Sequence, residues 1–195
     1  MKKIYLAGPE VFLQNAIEIG EYKKTLCGLY GFQGLYPQSN VLELNANNPQ
    51  ENGLMIARAN EKLIQEADAI IANITPFRGS SCDVGTAYEM GLAKGLGKPI
   101  FAYSNVERFF LQRNDEHFFP QRNIEELPDV TRLSDELFVD QQQMTLEKFG
   151  LIDNLMLGGS VAAPIIRHQL VDKTQKYSEL LGFEQCLKQL QKHLK

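Results

Sequence analysis

Apolar and polar positions along the first hundred residues change period in a regular order. Lys2 to Ala7, apolar from Ile4 on, reads as the first strand, and Gly8-Pro9 turns the chain out of it. Between Ile17 and Tyr30, the apolar residues Ile17, Tyr22, Leu26 and Leu29 recur at helical spacing. Gly31 and Gly34 bracket a second short strand, Phe32 to Tyr36, and the Asn-rich stretch Pro37 to Gln50 reads as a loop. Leu54 to Ala67 is the next helix, followed by an Ile-rich buried strand from Asp68 to Asn73. Thr75 to Ser81 breaks the periodicity with Pro, Gly and paired Ser. Asp83 opens a helix whose apolar side is Val84, Ala87, Tyr88, Gly91, Leu92 and Leu96, and Gly97-Lys98-Pro99 ends it. Ile100 to Tyr103 returns as a strand. Further on, Leu151 to Leu170 reads as a helix interrupted by Gly158-Gly159 and Pro164, and Val171 to Leu194 as an amphipathic helix or helix pair around Gly182. Strands and helices alternating in this way specify an α/β domain, with a doubly wound parallel sheet covered by helices on both faces.

Composition narrows the functional classes. With 195 residues, 44% hydrophobic and 23% charged, the chain fits one globular domain. A net charge of −4 with no basic stripe argues against a nucleic acid polymer as partner. No apolar run approaches the roughly 20 residues of a membrane span. The start, MKKIYLAGPEVF, has too short an apolar part for a signal peptide, so a cytoplasmic location is expected. Cys27, Cys82 and Cys186 are scattered and form neither a disulfide framework nor a metal site. His117, His168 and His193 are isolated, and no metal ligand set is expected. No G-x-G-x-x-G follows the first strand, and Gly95-x-Gly97-Lys98 ends a helix rather than opening one, so neither nucleotide fingerprint is present.

The strand-to-helix loops of such a sheet gather at its carboxyl edge, where ligands bind. Asp83 and Glu89 lie in and just after one of these loops, six residues apart. Asp83 has a plain structural reading as part of a capping box with Ser80, and Glu89 one as a solvated helix face. Against the latter, Glu89 sits among apolar or small neighbours, and the helix dipole is expected to keep it ionised. Such a carboxylate can act as a nucleophile towards a sugar carbon. Tyr5 is either plain core or a buried ring with a directed hydroxyl. Phe12, on the loop after the first strand, is either a stacking wall or folded onto the core. Between 104 and 146, Arg108, Arg113 and Arg122 alternate with Phe109, Phe110, Phe118 and Phe119, which reads as a satellite core beside acidic Asp115, Glu116, Glu125 and Glu126.

Three stretches carry a family resemblance: Ile4 to Phe12 (IYLAGPEVF), Ala67 to Gly79 continuing into Asp83-x-Gly85-Thr86-Ala87-Tyr88-Glu89-Met90-Gly91-x-Ala93, and Glu147 to Leu157 (EKFGLIDNLML). In this order and spacing they resemble the nucleoside 2-deoxyribosyltransferases. The expected fold is then α/β, a doubly wound parallel five-stranded sheet of flavodoxin/Rossmann-like type. The resemblance implies Glu89 as nucleophile, with Tyr5 and Asp83 as the other catalytic positions. It implies substrate contacts from Gly8, Pro9, Phe12, Asn60, Pro76, Phe77, Arg78, Gly85, Asn154 and Met156. It further implies that Asn154 enters a neighbouring subunit's site, so that a homo-oligomer, a dimer or an assembly of dimers, shares its active sites. The alternative for Asn154 is a cap on the helix starting at Leu155.

The activity implied is transfer of a 2-deoxyribosyl group between nucleobases through a covalent glutamyl intermediate with retention. Substrates would be purine or pyrimidine 2'-deoxyribonucleosides and free bases, with no cofactor and no membrane partner. An N-glycosidase acting on deoxynucleosides or their 5'-monophosphates is the nearer alternative. Those enzymes carry serine six residues before the glutamate, where this chain has Asp83, whose charge repels a phosphate. A catalytically silent nucleoside-binding protein is the other. An insertion near 118–137 and a C-terminal helical extension over 171–195 complete the expected single domain.

Overall fold

Two runs whose residues face the core from both sides, Ile4 to Ala7 and Ala69 to Asn73, lie side by side at the centre of a parallel sheet. A computed structural model describes residues 1–39, 47–118, 131–132, 138–139, 144–168, 170 and 172–194. In chain order the elements are β1 (Lys2–Ala7), α1 (Ala16–Leu29), β2 (Phe32–Leu35), α2 (Pro49–Glu66), β3 (Ala69–Asn73), α3 (Val84–Gly95) and β4 (Ile100–Ser104). They continue with α4 (Phe110–Phe118), β5 (Thr131–Arg132), β6 (Phe138–Val139), β7 (Thr145–Leu146), α5 (Leu155–Gly158), β8 (Ile166–Arg167) and α6 (Leu181–His193). The main sheet has the order β2-β1-β3-β4-β8, and every neighbour pair is parallel. A small antiparallel sheet joins β5, β6 and β7.

Strand alternation divides the core in two. On one face Tyr5, Ala7, Ile70, Ala72, Ile100 and Ala102 pack with Ile64 of α2 and with Met90 and Ala93 of α3. On the other, Ile4, Leu6, Ile71, Phe101 and Tyr103 pack with Cys27 of α1 and with Phe183, Cys186, Leu187 and Leu190 of α6. The α6 helix is thus a full layer of the core. Gly182 lets it approach, since a Cβ there would stand 2.6 Å from the Tyr103 ring. Burying each large apolar side chain of α6 contributes about 1.5–3 kcal/mol.

The architecture matches the expected doubly wound five-stranded fold, with four local corrections. The span 151–170 is not a helix: the Gly158-Gly159 pair stops α5 after one turn, and Ile166–Arg167 instead adds the fifth strand beside β4. The loop reading of Pro37 to Gln50 ends early, because Asn48 caps α2 by accepting from the Glu51 N–H at 3.1 Å and Pro49 occupies its first turn. The stretch 171–194 holds a 3-10 turn, Lys173–Gln175, before the single helix α6. Finally, two helices turn a different face inward. In α1 the buried residues are Ala16, Ile19, Gly20, Lys23 and Cys27, leaving Ile17 and Leu29 exposed; in α3 they are Thr86, Met90 and Ala93, leaving Val84 exposed. Most of the expected insertion, with Phe119, Arg122, Glu125 and Glu126, lies outside the described residues, as does Asn45. Among the described residues, no helix is long and apolar enough to cross a membrane.

Candidate active site

The strand order reverses between β1 and β3, because β1 leads outward to β2 and β3 to β4. The crevice beyond their carboxyl ends is where open α/β sheets take ligands. Tyr5 stands on β1 opposite Ile70, on the sheet face covered by α3, with its ring fully buried. Its hydroxyl donates to Oε1 of Glu89 at 2.6 Å. Asp83 is the N-cap of α3, and its Oδ2 accepts from the Thr86 N–H at 2.9 Å and the Thr86 hydroxyl at 3.3 Å. Capping therefore falls to Asp83 itself rather than to a Ser80 box. A Cβ on Gly85 would stand 3.0 Å from Asp83 Oδ2, so glycine leaves that carboxylate approachable.

Burial decides the charge of Glu89. Although part of the residue remains accessible, desolvation lifts its carboxyl to about 7. The Tyr5 hydrogen bond pulls in the opposite direction, and the charges of Asp83 and Glu10 add to the rise. The expectation that the helix dipole keeps Glu89 ionised is thereby corrected around neutral pH, because desolvation outweighs a dipole effect of about 0.3–1 kcal/mol. Tyr5 is pushed far above its normal range, first by burial and then by the Glu89 charge, so it remains a donor at any physiological pH. A carboxylate poised near neutrality, with a fixed hydroxyl on one oxygen, is equipped for nucleophilic or acid–base work.

Behind these groups lies a buried polar network not anticipated from the sequence. Gly8 and Pro9 turn the chain out of β1 and set Glu10 fully inside the protein. Glu10 forms a buried ion pair with Lys23 of α1, and its Oε2 accepts from Asn73 Nδ2 at 3.0 Å. Asn73 Oδ1 in turn accepts from the Thr75 N–H at 3.1 Å and its hydroxyl at 2.5 Å. A Cβ on Gly8 would collide with Glu10 Oε2 at 2.2 Å and with Asn73 at 2.7 Å, so only glycine fits there. Removing one partner of such a buried pair costs about 3–5 kcal/mol. The available signals were a polar Asn73 closing an apolar strand and a Lys23 on the side of α1 that packs on it.

Aromatic side chains cluster in the loops after β1 and β3. Phe12, 56% exposed, stacks on Phe77 with ring centroids 5.2 Å apart and planes at 13°. Arg78, held at φ 53°, lies over both rings at 4.6 and 5.3 Å. Pro76 is buried, and its carbonyl accepts from the Tyr177 hydroxyl at 2.8 Å. Phe12 is thus exposed and not folded onto the core. Asn60 on α2 holds a buried Oδ1 with no hydrogen-bond partner among the described residues. Next to it in sequence, Glu61 accepts from the Tyr88 hydroxyl at 2.5 Å, tying α2 to α3.

The C-terminal segment is anchored to the loop before α3. Asp153 is fully buried, accepting from the Cys82 N–H at 3.0 Å, the Ser81 hydroxyl and the Arg113 guanidinium at 3.3 Å. Arg113 also donates to the Ser80 carbonyl at 2.8 Å. Asn154 caps α5 through the Met156 N–H at 3.0 Å and donates to Glu147 at 2.7 Å. Within the chain it makes no hydrogen bond to Tyr5, Asp83 or Glu89, and Met156 is 73% exposed.

The sequence profile of the nucleoside 2-deoxyribosyltransferases matches residues 4–156, a span that runs from β1 to Met156 and includes Tyr5, Asp83, Glu89 and Asn154. The chain belongs to this family. A 2-deoxyribosyltransferase from Leishmania mexicana shares the architecture with a TM-score of 0.61 and 27% identity, over 99% of each chain. A conserved protein from Enterococcus faecalis V583 shares the fold at a TM-score of 0.55, with 22% identity over 97% of this chain and 99% of that one. In sequence, the uncharacterized protein C191.05c of Schizosaccharomyces pombe is 29% identical over 162 residues, covering 81% of this chain and 76% of that protein.

Proposed function

We propose that this member of the family transfers the 2-deoxyribosyl group between nucleobases, with Glu89 as the covalent nucleophile. The observation that carries the reading is the 2.6 Å contact from the buried Tyr5 hydroxyl to Glu89, at the sheet's switch point and beside Asp83. The free Oε2 of Glu89 attacks the anomeric carbon as the base, protonated on a ring nitrogen, departs as the neutral free base through an oxocarbenium-like transition state. A second base then enters on the face the first one left, opposite the carboxylate, which it displaces as it gives up its ring N–H proton, so two inversions give net retention. Tyr5 orients the carboxylate and favours its ionised form. Asp83, capped onto Thr86 through Oδ2, offers Oδ1 to a neutral 5'-hydroxyl.

Phe12 and Phe77 supply apolar faces for the base, Gly8 and Pro9 shape the crevice floor, and Asn60 offers its unpartnered Oδ1 to a base or sugar donor. Val84 and Tyr88 on α3 and Met156 on α5 are apolar and largely exposed. A second copy covering them would close the crevice and bring its Asn154 to the 5' end of the substrate. Incubating a deoxyribonucleoside with and without a second base tests the activity. New nucleoside formed only with the second base supports transfer; free base formed without it supports the hydrolase.

A further inference from the structure

The loop 76–81 has two sides. One carries Phe77 and Arg78, which pack with Phe12 of the loop after β1. On the other, Pro76, Gly79 and Ser80 help to wall a cavity of about 840 Å³ that lies past the carboxyl ends of β4 and β8. Tyr5, Asp83 and Glu89 take no part in its lining. We infer that this cavity is a second ligand site, taking a phosphorylated small molecule of nucleotide size through Arg167, Lys173 and Lys176. The inference stands apart from the transfer reaction.

Charge is the first argument. The chain as a whole is acidic, with a net charge of −4, yet the cavity is lined by Arg108, Arg113, Arg167, Lys173 and Lys176 against a single carboxylate, Glu107. Arg113 is matched by Asp153. Among the described residues, no carboxylate pairs with Arg167, Lys173 or Lys176. Two of these three are held without being neutralised. Arg167 donates to the Glu107 carbonyl at 3.2 Å and lies 4.5 Å over the Phe109 ring, and Lys176 sits 5.0 Å over the Tyr177 ring. Converging cations at the edge of a parallel sheet suit a phosphate group.

Size and a buried acceptor argue for an organic phosphate rather than the bare ion. The volume falls within the roughly 300–1,000 Å³ typical of small-molecule sites. Asn105, 2% exposed, also lines the cavity. Its Nδ2 is fixed by the carbonyls of Lys176 at 3.1 Å and Glu179 at 3.0 Å, whereas its Oδ1 has no partner among the described residues. An unpaired buried acceptor calls for a hydroxyl or amino donor, which a sugar or base supplies.

Calorimetry on the intact protein tests the site, with ADP and adenosine as probes. ADP is expected to bind wild type and Glu89→Gln with the same affinity. The Arg167→Ala/Lys173→Ala double variant should weaken it about tenfold or more, since hydrogen bonds to charged groups are lost. Adenosine should bind far more weakly than ADP, and indifferently to the double variant. Both substituted side chains are exposed. Should the double variant fail to fold, Lys173→Glu on its exposed turn should weaken ADP in the same direction. Absence of ADP binding at millimolar concentration would overturn the inference. So would affinity unchanged by these variants, or lost instead in Glu89→Gln, which would place ADP in the catalytic crevice.

Discussion

Tyr5 and Glu89 are 84 positions apart in sequence, yet the tyrosine hydroxyl donates to the glutamate at 2.6 Å. The contact exists because Tyr5 is the β1 residue whose side chain alternates onto the α3 face, and because α3 turns Glu89 to the same side as its buried Thr86 and Met90. Among the described side chains acting on Glu89, this bond draws its carboxyl back towards the ordinary range, while the charges of Asp83 and Glu10 raise it.

Tyr5→Phe should therefore act on both rate and pH profile. Removing a hydrogen bond to a charged group should lower kcat/KM about ten- to a hundredfold. In wild type, the nucleophile must be ionised, so kcat/KM should fall as pH drops below about 7. With the hydroxyl gone, the carboxyl rises further and this acid limb moves to higher pH. An unmoved limb would show that Glu89 is not the group titrating.

A stability experiment reads the same shift without substrate. The folded state holds a proton on Glu89 more tightly than the unfolded chain, since its carboxyl lies near 7 instead of 4.5. Rising pH through that window ionises the unfolded chain first, so Glu89 costs the fold stability progressively, and the full cost is present above about 7. Glu89→Gln should gain in Tm over wild type at pH 8 relative to their difference at pH 5, by a few degrees. A difference that does not change with pH would contradict the burial account.

Much of the fold was legible in the sequence, and the misreadings share a cause. β1, β3 and β4 are short, carry a continuous apolar stretch and are bounded by turn residues, so they stand out in the sequence. Helix faces are chosen by hydrophobicity, and that choice fails where the inward face carries polar groups with work to do. In α1 the inward Lys23 pairs with Glu10, and in α3 the inward face carries Thr86 beside Glu89. The apolar Ile17, Leu29 and Val84 then point outward. The fifth strand is only two residues long, and its pairing with Tyr103 and Ser104 comes from the exposed edge of β4, not from its own composition. The Glu10–Asn73–Thr75 network was hidden for the opposite reason: Glu10 and Thr75 alone look like loop polar groups, and Asn73 like the end of a strand.

Asp83→Ser separates nucleoside from nucleotide chemistry. The change removes a negative charge and leaves a hydroxyl that can serve a phosphate. Deoxynucleoside turnover should fall, and binding of the 5'-monophosphate should improve relative to it. A wild type that already prefers the monophosphate would favour the hydrolase reading.

Sharing of the site between subunits can be tested by mixing two dead variants. Glu89→Ala and Asn154→Ala proteins should each be impaired. If the partner's Asn154 completes the site, a hybrid dimer collects both lesions in one site and leaves the other intact. Co-refolding should then restore up to about half of the activity per hybrid. No recovery in hybrids confirmed by a tag would place Asn154 in its own subunit's site or outside any site.

The most direct measurement is on the intermediate itself. Wild-type protein mixed with a 2'-deoxyribonucleoside and quenched in acid should yield a peptide containing Glu89 heavier by one deoxyribosyl group. Glu89→Gln should lack the adduct and lose several orders of magnitude in transfer, as removal of a covalent nucleophile does. An adduct on another residue, or normal transfer in Glu89→Gln, would contradict the account.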